Sequence, residues 1–131
     1  MMGIIQELFT VQCLIALVAG TAGGLLIGAL PGLSATMGMS LLIPITYGME
    51  TAPAMIMIAA VYVSAVYGGS FSAILIHTPG TPASAATAID GYELTKQGKG
   101  LKAVGVSSIS SVTGGVISAV ALLFLAPQLV K

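Results

Sequence analysis

The residues most able to do chemistry in this sequence form one run, His77-Thr78-Pro79-Gly80-Thr81-Pro82-Ala83-Ser84-Ala85-Ala86-Thr87. Two prolines three residues apart cannot both sit inside a regular helix, because each lacks an amide donor and clashes with the preceding turn. The residues before them, Thr78 and Thr81, are pushed toward extended backbone. After Pro82 the small residues allow a helix to restart. The run therefore reads as a broken helix: an apolar approach, an unwound Pro-Gly segment, and a new helix start rich in hydroxyls. A second break of the same kind stands at Pro31-Gly32-Leu-Ser34-Ala-Thr36.

Such breaks suit one task. Each offers free amides at a helix N-terminus, at the positive end of the dipole, with hydroxyls nearby. An anionic group can be held there without a fixed positive charge. Carbonyls freed at the end of the preceding half-helix can hold a cation at the same place. His77 can be read as a proton carrier, a hydrogen-bonding ligand or a satisfied polar side chain. Plain proline kinks are the structural alternative for both breaks. No catalytic constellation accompanies them: there is no second histidine for a metal cluster and no nucleophile–base–orienter set. The chain is accordingly not expected to be an enzyme, and no resident metal or organic cofactor is expected.

The elements that must position these breaks are apolar. The chain has 131 residues, 56% of them hydrophobic and 6% charged, with a mean hydropathy of +1.07. That composition belongs to an integral membrane protein in a lipid bilayer, and the length to one domain. Lys96, Lys99, Lys102 and Lys131 account for all four basic residues, too little to grip nucleic acid. Cys13 is the only cysteine and reads as a small buried hydrophobe. The start carries no basic n-region, so the first apolar segment is expected to be retained, after a short interfacial lead over residues 1–10.

Taken in order, residues 11–30 are uncharged and number about 20, enough to span a hydrocarbon core. Gly20, Gly24 and Gly28 fall on one helical face, where their lack of side chains invites a second helix to approach. Ser34 or Thr36 is expected to cap a second piece over 37–49, shortened or bent by Pro44 and Gly48. Thr51 is expected to cap the third segment, 54–76, with Pro53 in its first turn. Tyr62 and Tyr67 read as packing or interface anchors, and the Gly68-Gly69-Ser70-Phe71-Ser72 patch as a close helix contact. Residues 90–102 read as an aqueous loop, with Asp90 capping a short helix that stops at Gly98. A last segment, 103–125, spans again; its serine-rich first half calls for protein neighbours. The fold class is thus all-α integral membrane, with several transmembrane helices and Pro-Gly breaks or re-entrant segments. Gly-Gly, an apolar stretch, Pro-Gly and small hydroxyl residues recur at 23–36 and 68–87, a loose internal repeat.

Three runs carry a resemblance: Gly28-Ala-Leu-Pro-Gly-Leu-Ser-Ala-Thr36, the stretch from Tyr67-Gly-Gly-Ser through Pro79-Gly-Thr-Pro-Ala-Ser-Ala-Ala-Thr87 to Asp90-Gly-Tyr92, and Lys96-Gln-Gly-Lys99. Together they resemble the large membrane subunit of tripartite tricarboxylate transporters. The resemblance implies secondary uptake of citrate-like carboxylates across a bacterial inner membrane, driven by a gradient of Na+ or H+. It implies two partners, a small membrane subunit and a periplasmic substrate-binding protein. Carried over, Pro31, Gly32, Ser34 and Thr36, with Thr78, Pro79, Gly80, Thr81, Ser84 and Thr87, become substrate and ion loops, with His77 as an added donor. Members of that family are several times longer and built of two related halves, so this sequence is expected to be an N-terminal part of such a fold. A small structural membrane protein that assembles through its glycine faces is the rival reading.

The lysine cluster also sets an orientation, because short basic loops stay on the cytoplasmic side. A cysteine placed at Gln97, with Cys13 replaced by alanine, should resist an impermeant maleimide in intact cells and react after permeabilisation. Labelling in intact cells would place this loop outside.

Overall fold

The computed structural model describes residues 9–129; residues 1–8 of the expected lead, Val130 and Lys131 lie outside them. The chain is helical among these residues, with five helices: α1 (Val11–Ala29), α2 (Ala35–Thr46), α3 (Thr51–Ile76), α4 (Ala85–Lys96) and α5 (Gly100–Leu129). A single 3-10 turn, Pro82–Ser84, precedes α4. The helices α1, α3 and α5 are long and apolar enough to cross a bilayer.

The pairing of α1 with α3 organises the rest. Gly20, Gly24 and Gly28 are all buried, and each meets α3 backbone. A β-carbon on Gly20 would lie 2.8 Å from the Met57 carbonyl oxygen, one on Gly24 2.5 Å from that of Val61, and one on Gly28 2.7 Å from the Ala65 Cα. Because the contacts advance together along both helices, α1 and α3 run parallel. Gly68 answers from the other side, with Leu25 and Ala29 of α1 against it. Side chains at these positions would force the axes apart, and in lipid no hydrophobic drive exists to offset lost packing. The Ser64 hydroxyl, buried in this seam, bonds to carbonyls of its own helix and reaches Gly20 O at 3.4 Å.

Parallel neighbours need a return, and α2 supplies it. Gly32, at φ +96°, makes the turn after α1, a conformation that glycine adopts without strain. Ser34 then caps α2, its hydroxyl accepting the Met37 amide at 3.2 Å. The helix ends at Thr46, two residues after Pro44. It packs through Gly38, which faces Ile27 of α1.

Two expected caps are corrected. Thr51 is the first helical residue of α3; Glu50 is the extended cap residue, and its carbonyl accepts the Ala54 amide. Asp90 lies in the middle of α4, because the turn at 82–84 starts that helix earlier. The expected loop at 90–102 is therefore helix except for 97–99, which alone separates α4 from α5. The stop at Gly98 holds, at φ +75°. Beyond Ser110, α5 is exposed along its described length.

Since α1 and α3 meet backbone to backbone, the cost of a methyl group should depend on position. Gly24→Ala should lower the thermal midpoint in lipid nanodiscs by several degrees, whereas Gly23→Ala, with nothing within 4 Å of the new carbon, should be neutral or stabilising. Equal effects at the two sites would contradict this seam.

Candidate functional site

The second break is a re-entrant segment. Helix α3 stops at Ile76, and His77 follows in the left-handed region at φ 56°, the one non-glycine there among the described residues. Histidine tolerates this conformation better than most side chains. The amides of His77 and Thr78 both turn back to the Ser72 carbonyl. The extended residues then run back along α3, so that the Gly80 amide meets Gly69 O at 3.5 Å. Gly80 is wedged between Gly69, Ser72 and the Gly28 carbonyl at the end of α1; a β-carbon there would sit 3.0 Å from Gly69 Cα and overlap Gly28 O. Gly69 in turn has Thr81 against it. Both halves of the Gly-Gly pair are thus consumed, Gly68 by α1 and Gly69 by the returning chain.

Thr81 and Ser84 are buried and satisfy one another. The Thr81 amide and hydroxyl donate to Ser84 Oγ at 3.2 and 3.3 Å, and the Ser84 hydroxyl donates to the Thr81 carbonyl at 2.7 Å. This box launches α4 from a level about seven residues, or roughly 10 Å, below the end of α3. Helix α4 then climbs past Ile74, which packs on Gly91, and Thr95 clamps the Ile74 carbonyl at 2.7 Å.

At the first break, Ser34 and Thr36 share a hydroxyl hydrogen bond of 2.7 Å. Pro31, Gly32 and Thr36 are exposed, and Ser34 is half-buried. The breaks approach each other through Gly28 and Gly80; no hydrogen bond among the described residues joins Ser34 or Thr36 to Thr81 or Ser84. His77 and Thr78 stand apart from both hydroxyl pairs. His77 is exposed with its ring against Tyr92, 4.5 Å between centroids, and the Thr78 hydroxyl bonds to Ile76 O. Pro79 is exposed. On the far side of Tyr92 sequence, Lys96 pairs with Glu93 at 2.8 Å, and that carboxylate holds the ammonium above its ordinary pKa by hydrogen bond and charge. The pair is exposed, so its effect on stability is small.

A cleft of about 740 Å³ opens between α3, α4 and α5. Of the residues expected from the sequence to bind substrate or ion, Thr87 alone lines it. Tyr62, Tyr67 and Ser70 of α3, Asp90 of α4, and Ser107, Ser110 and Ser111 of α5 complete its polar lining. A Tyr67–Ser108 hydrogen bond ties α3 to α5, and Tyr67 also meets Phe71 edge-on. The signal in the sequence was the three-residue spacing of polar side chains on otherwise apolar helices. No group of three metal-ligating side chains gathers among the described residues.

Residues 14–131 match the family model described as "Tripartite tricarboxylate transporter TctA family". The chain is also similar to an "Uncharacterized 52.8 kDa protein in TAR-I ttuC' 3'region" of Agrobacterium vitis, with 37% identity over 119 residues, covering 91% of this chain. It spans 23% of that relative's length. No solved structure matches it.

The tie between α3 and α5 can be measured. A double-mutant cycle of Tyr67→Phe and Ser108→Ala should give a coupling of about 0.6 kcal/mol, and not above ~1.7, as for other hydrogen bonds between membrane helices. Strict additivity would mean that the bond is not formed.

Proposed function

The chain belongs to the TctA family of tripartite tricarboxylate transporters, and on that premise we propose that it forms part of the substrate pathway of a carboxylate uptake system. The transporter takes up citrate-like anions by secondary transport, driven by a Na+ or H+ gradient, in the inner membrane of a bacterium. It works with a small membrane subunit and a periplasmic binding protein. The five helices form one unit of a larger two-repeat fold. The observation that carries this reading is the re-entrant segment at 77–84. Non-helical backbone at membrane depth is tolerated where it is buried in protein or lines a wet cavity, and transporters use such broken helices to build substrate sites.

The chain has no arginine, and its lysines lie outside both breaks. A carboxylate must then be held by amides and hydroxyls. The start of α2 supports this best. Ser34 takes the Met37 amide on its hydroxyl and the Gly38 amide on its carbonyl, which leaves the Ala35 and Thr36 amides for an external acceptor. The hydroxyls of Ser34 and Thr36 stand beside them. At the second break, Thr81 and Ser84 fix the shape of the wall, while Gly80 lets it approach α1. Substrate contact is assigned to Ser34 and Thr36, with Thr81, Ser84 and the Pro79-Gly80 turn as the opposing side.

Citrate binding to the purified chain in lipid nanodiscs tests this, together with uptake by vesicles carrying the chain and its small membrane partner. Ser34→Ala should weaken binding about tenfold, the loss of one hydrogen bond to a charged group. Ser84→Ala should weaken it comparably by loosening the turn before α4, and Gly80→Val should abolish it by clashing with Gly28. Unchanged citrate binding in Ser34→Ala and Gly80→Val together would remove both breaks from the site.

A further inference from the structure

We propose that the cleft between α3, α4 and α5 binds a monovalent alkali cation, with Asp90 as its charged ligand. The cleft is walled by three helices, each of which contributes polar side chains one turn apart: Tyr67 and Ser70, Thr87 and Asp90, Ser107 and Ser110. Spacing of i and i+3 puts each pair on one helical face. Asp90 is the lone carboxylate among the lining residues, and no lysine or histidine is among them. The remaining polar lining is hydroxyl oxygen. An all-oxygen set with a single negative charge matches a hard cation of charge one. Divalent sites gather several carboxylates, and thiol or imidazole ligands that would favour a softer metal are absent from the lining.

The charge balance separates this cleft from the anion site. A carboxylate substrate would meet Asp90 with like charge and no compensating cation among the lining residues. A small cation would instead neutralise Asp90, which lines the cleft and is exposed. Access is also provided. The cleft runs along α3 from Ile74 down to Tyr62, and along α5 from Ala103 to Gly115. On each helix that is about 18 Å. Its upper end adjoins the polar connection at 97–99, and its lower end reaches the middle of α3. Asp90 and Ser110 are exposed where they line the cleft, and Ser107 is half-buried. The Tyr67–Ser108 bond holds the α3 and α5 walls together.

The inference rests on the transporter reading for its purpose, as the seat of the driving ion, but its chemistry stands alone. The test is equilibrium binding of radioactive sodium to the purified chain in lipid nanodiscs, with N-methylglucamine holding ionic strength constant. Wild type should bind sodium saturably. Asp90→Asn should weaken binding at least about tenfold, Ser107→Ala by a smaller factor, and Asp90→Glu should retain part of the affinity. Glu93→Gln, which removes an exposed carboxylate outside the cleft, should bind as wild type. Circular dichroism checks that each variant keeps its helices; should Asp90→Asn lose them, the comparison of Asp90→Glu with Ser107→Ala decides. Absence of saturable sodium binding in wild type, or wild-type affinity in a folded Asp90→Asn, overturns the proposal, as does displacement of sodium by equimolar choline. Citrate binding is measured on the same samples. Sodium bound without citrate counts against the carboxylate reading alone, and citrate bound without sodium counts against the cation site alone.

Discussion

The structure depends on how closely α1 and α3 can approach. Gly20, Gly24 and Gly28 replace side chains with bare backbone, and Met57, Val61 and Ala65 of α3 lie directly on it. In water such a glycine-rich helix would be penalised by about 1 kcal/mol per glycine relative to alanine. In a bilayer the unfolded alternative is closed off, because the backbone must stay hydrogen-bonded. The glycines then contribute packing that bulkier residues would prevent. Since α1 ends level with Gly68, the last two turns of α3 are left bare on that side. The returning segment at 77–84 fills that space, and Gly80 touches the last turn of α1. One close contact therefore fixes the depth of the break.

The break itself survives because its polar groups are accounted for. The amides of His77 and Thr78 go to Ser72 O, that of Gly80 to Gly69 O, and those of Thr81 and Ser84 to each other's residues. Pro79 and Pro82 have no amide to satisfy. Among the described residues no buried side-chain nitrogen or oxygen lacks a partner. The prolines thus reduce the number of donors in a place where each unpaired donor would cost free energy. The serine at 84 and the threonine at 81 are needed as much for this accounting as for any ligand.

Much of this was legible in the sequence because the signals were local. The glycine register on α1, the turn at Pro31-Gly32, the cap at Ser34 and the restart after Pro82 follow from spacing and from what proline and glycine forbid. The stop of α3 was less so: proline marks the region, but the last helical residue is set by His77 in the left-handed conformation and its bond to Ser72. The misplaced caps at Thr51 and Asp90 have one cause. A good capping residue was present, yet the neighbouring chain had already supplied the start, through Glu50 in one case and the Thr81–Ser84 box in the other. The glycine faces announced close helix contacts, but which partners meet there was not legible. Nothing local says that Gly69 faces Thr81, that Ser107 and Thr87 line one cleft, or that His77 stacks on Tyr92 away from the hydroxyl pairs.

Membership in the TctA family is the setting for both proposals, an anion at the breaks and a cation in the hydroxyl cleft. The central claim is that 77–84 is folded back into the bundle as ordered, non-helical backbone. Residue-resolved amide hydrogen exchange in lipid nanodiscs tests it most directly. The amides of Gly80, Thr81 and Ser84 should be protected to the same order as those in the middle of α3, since each has a partner within the bundle. Exchange of these three at the rate of an unstructured peptide, with α3 still protected, would contradict the account.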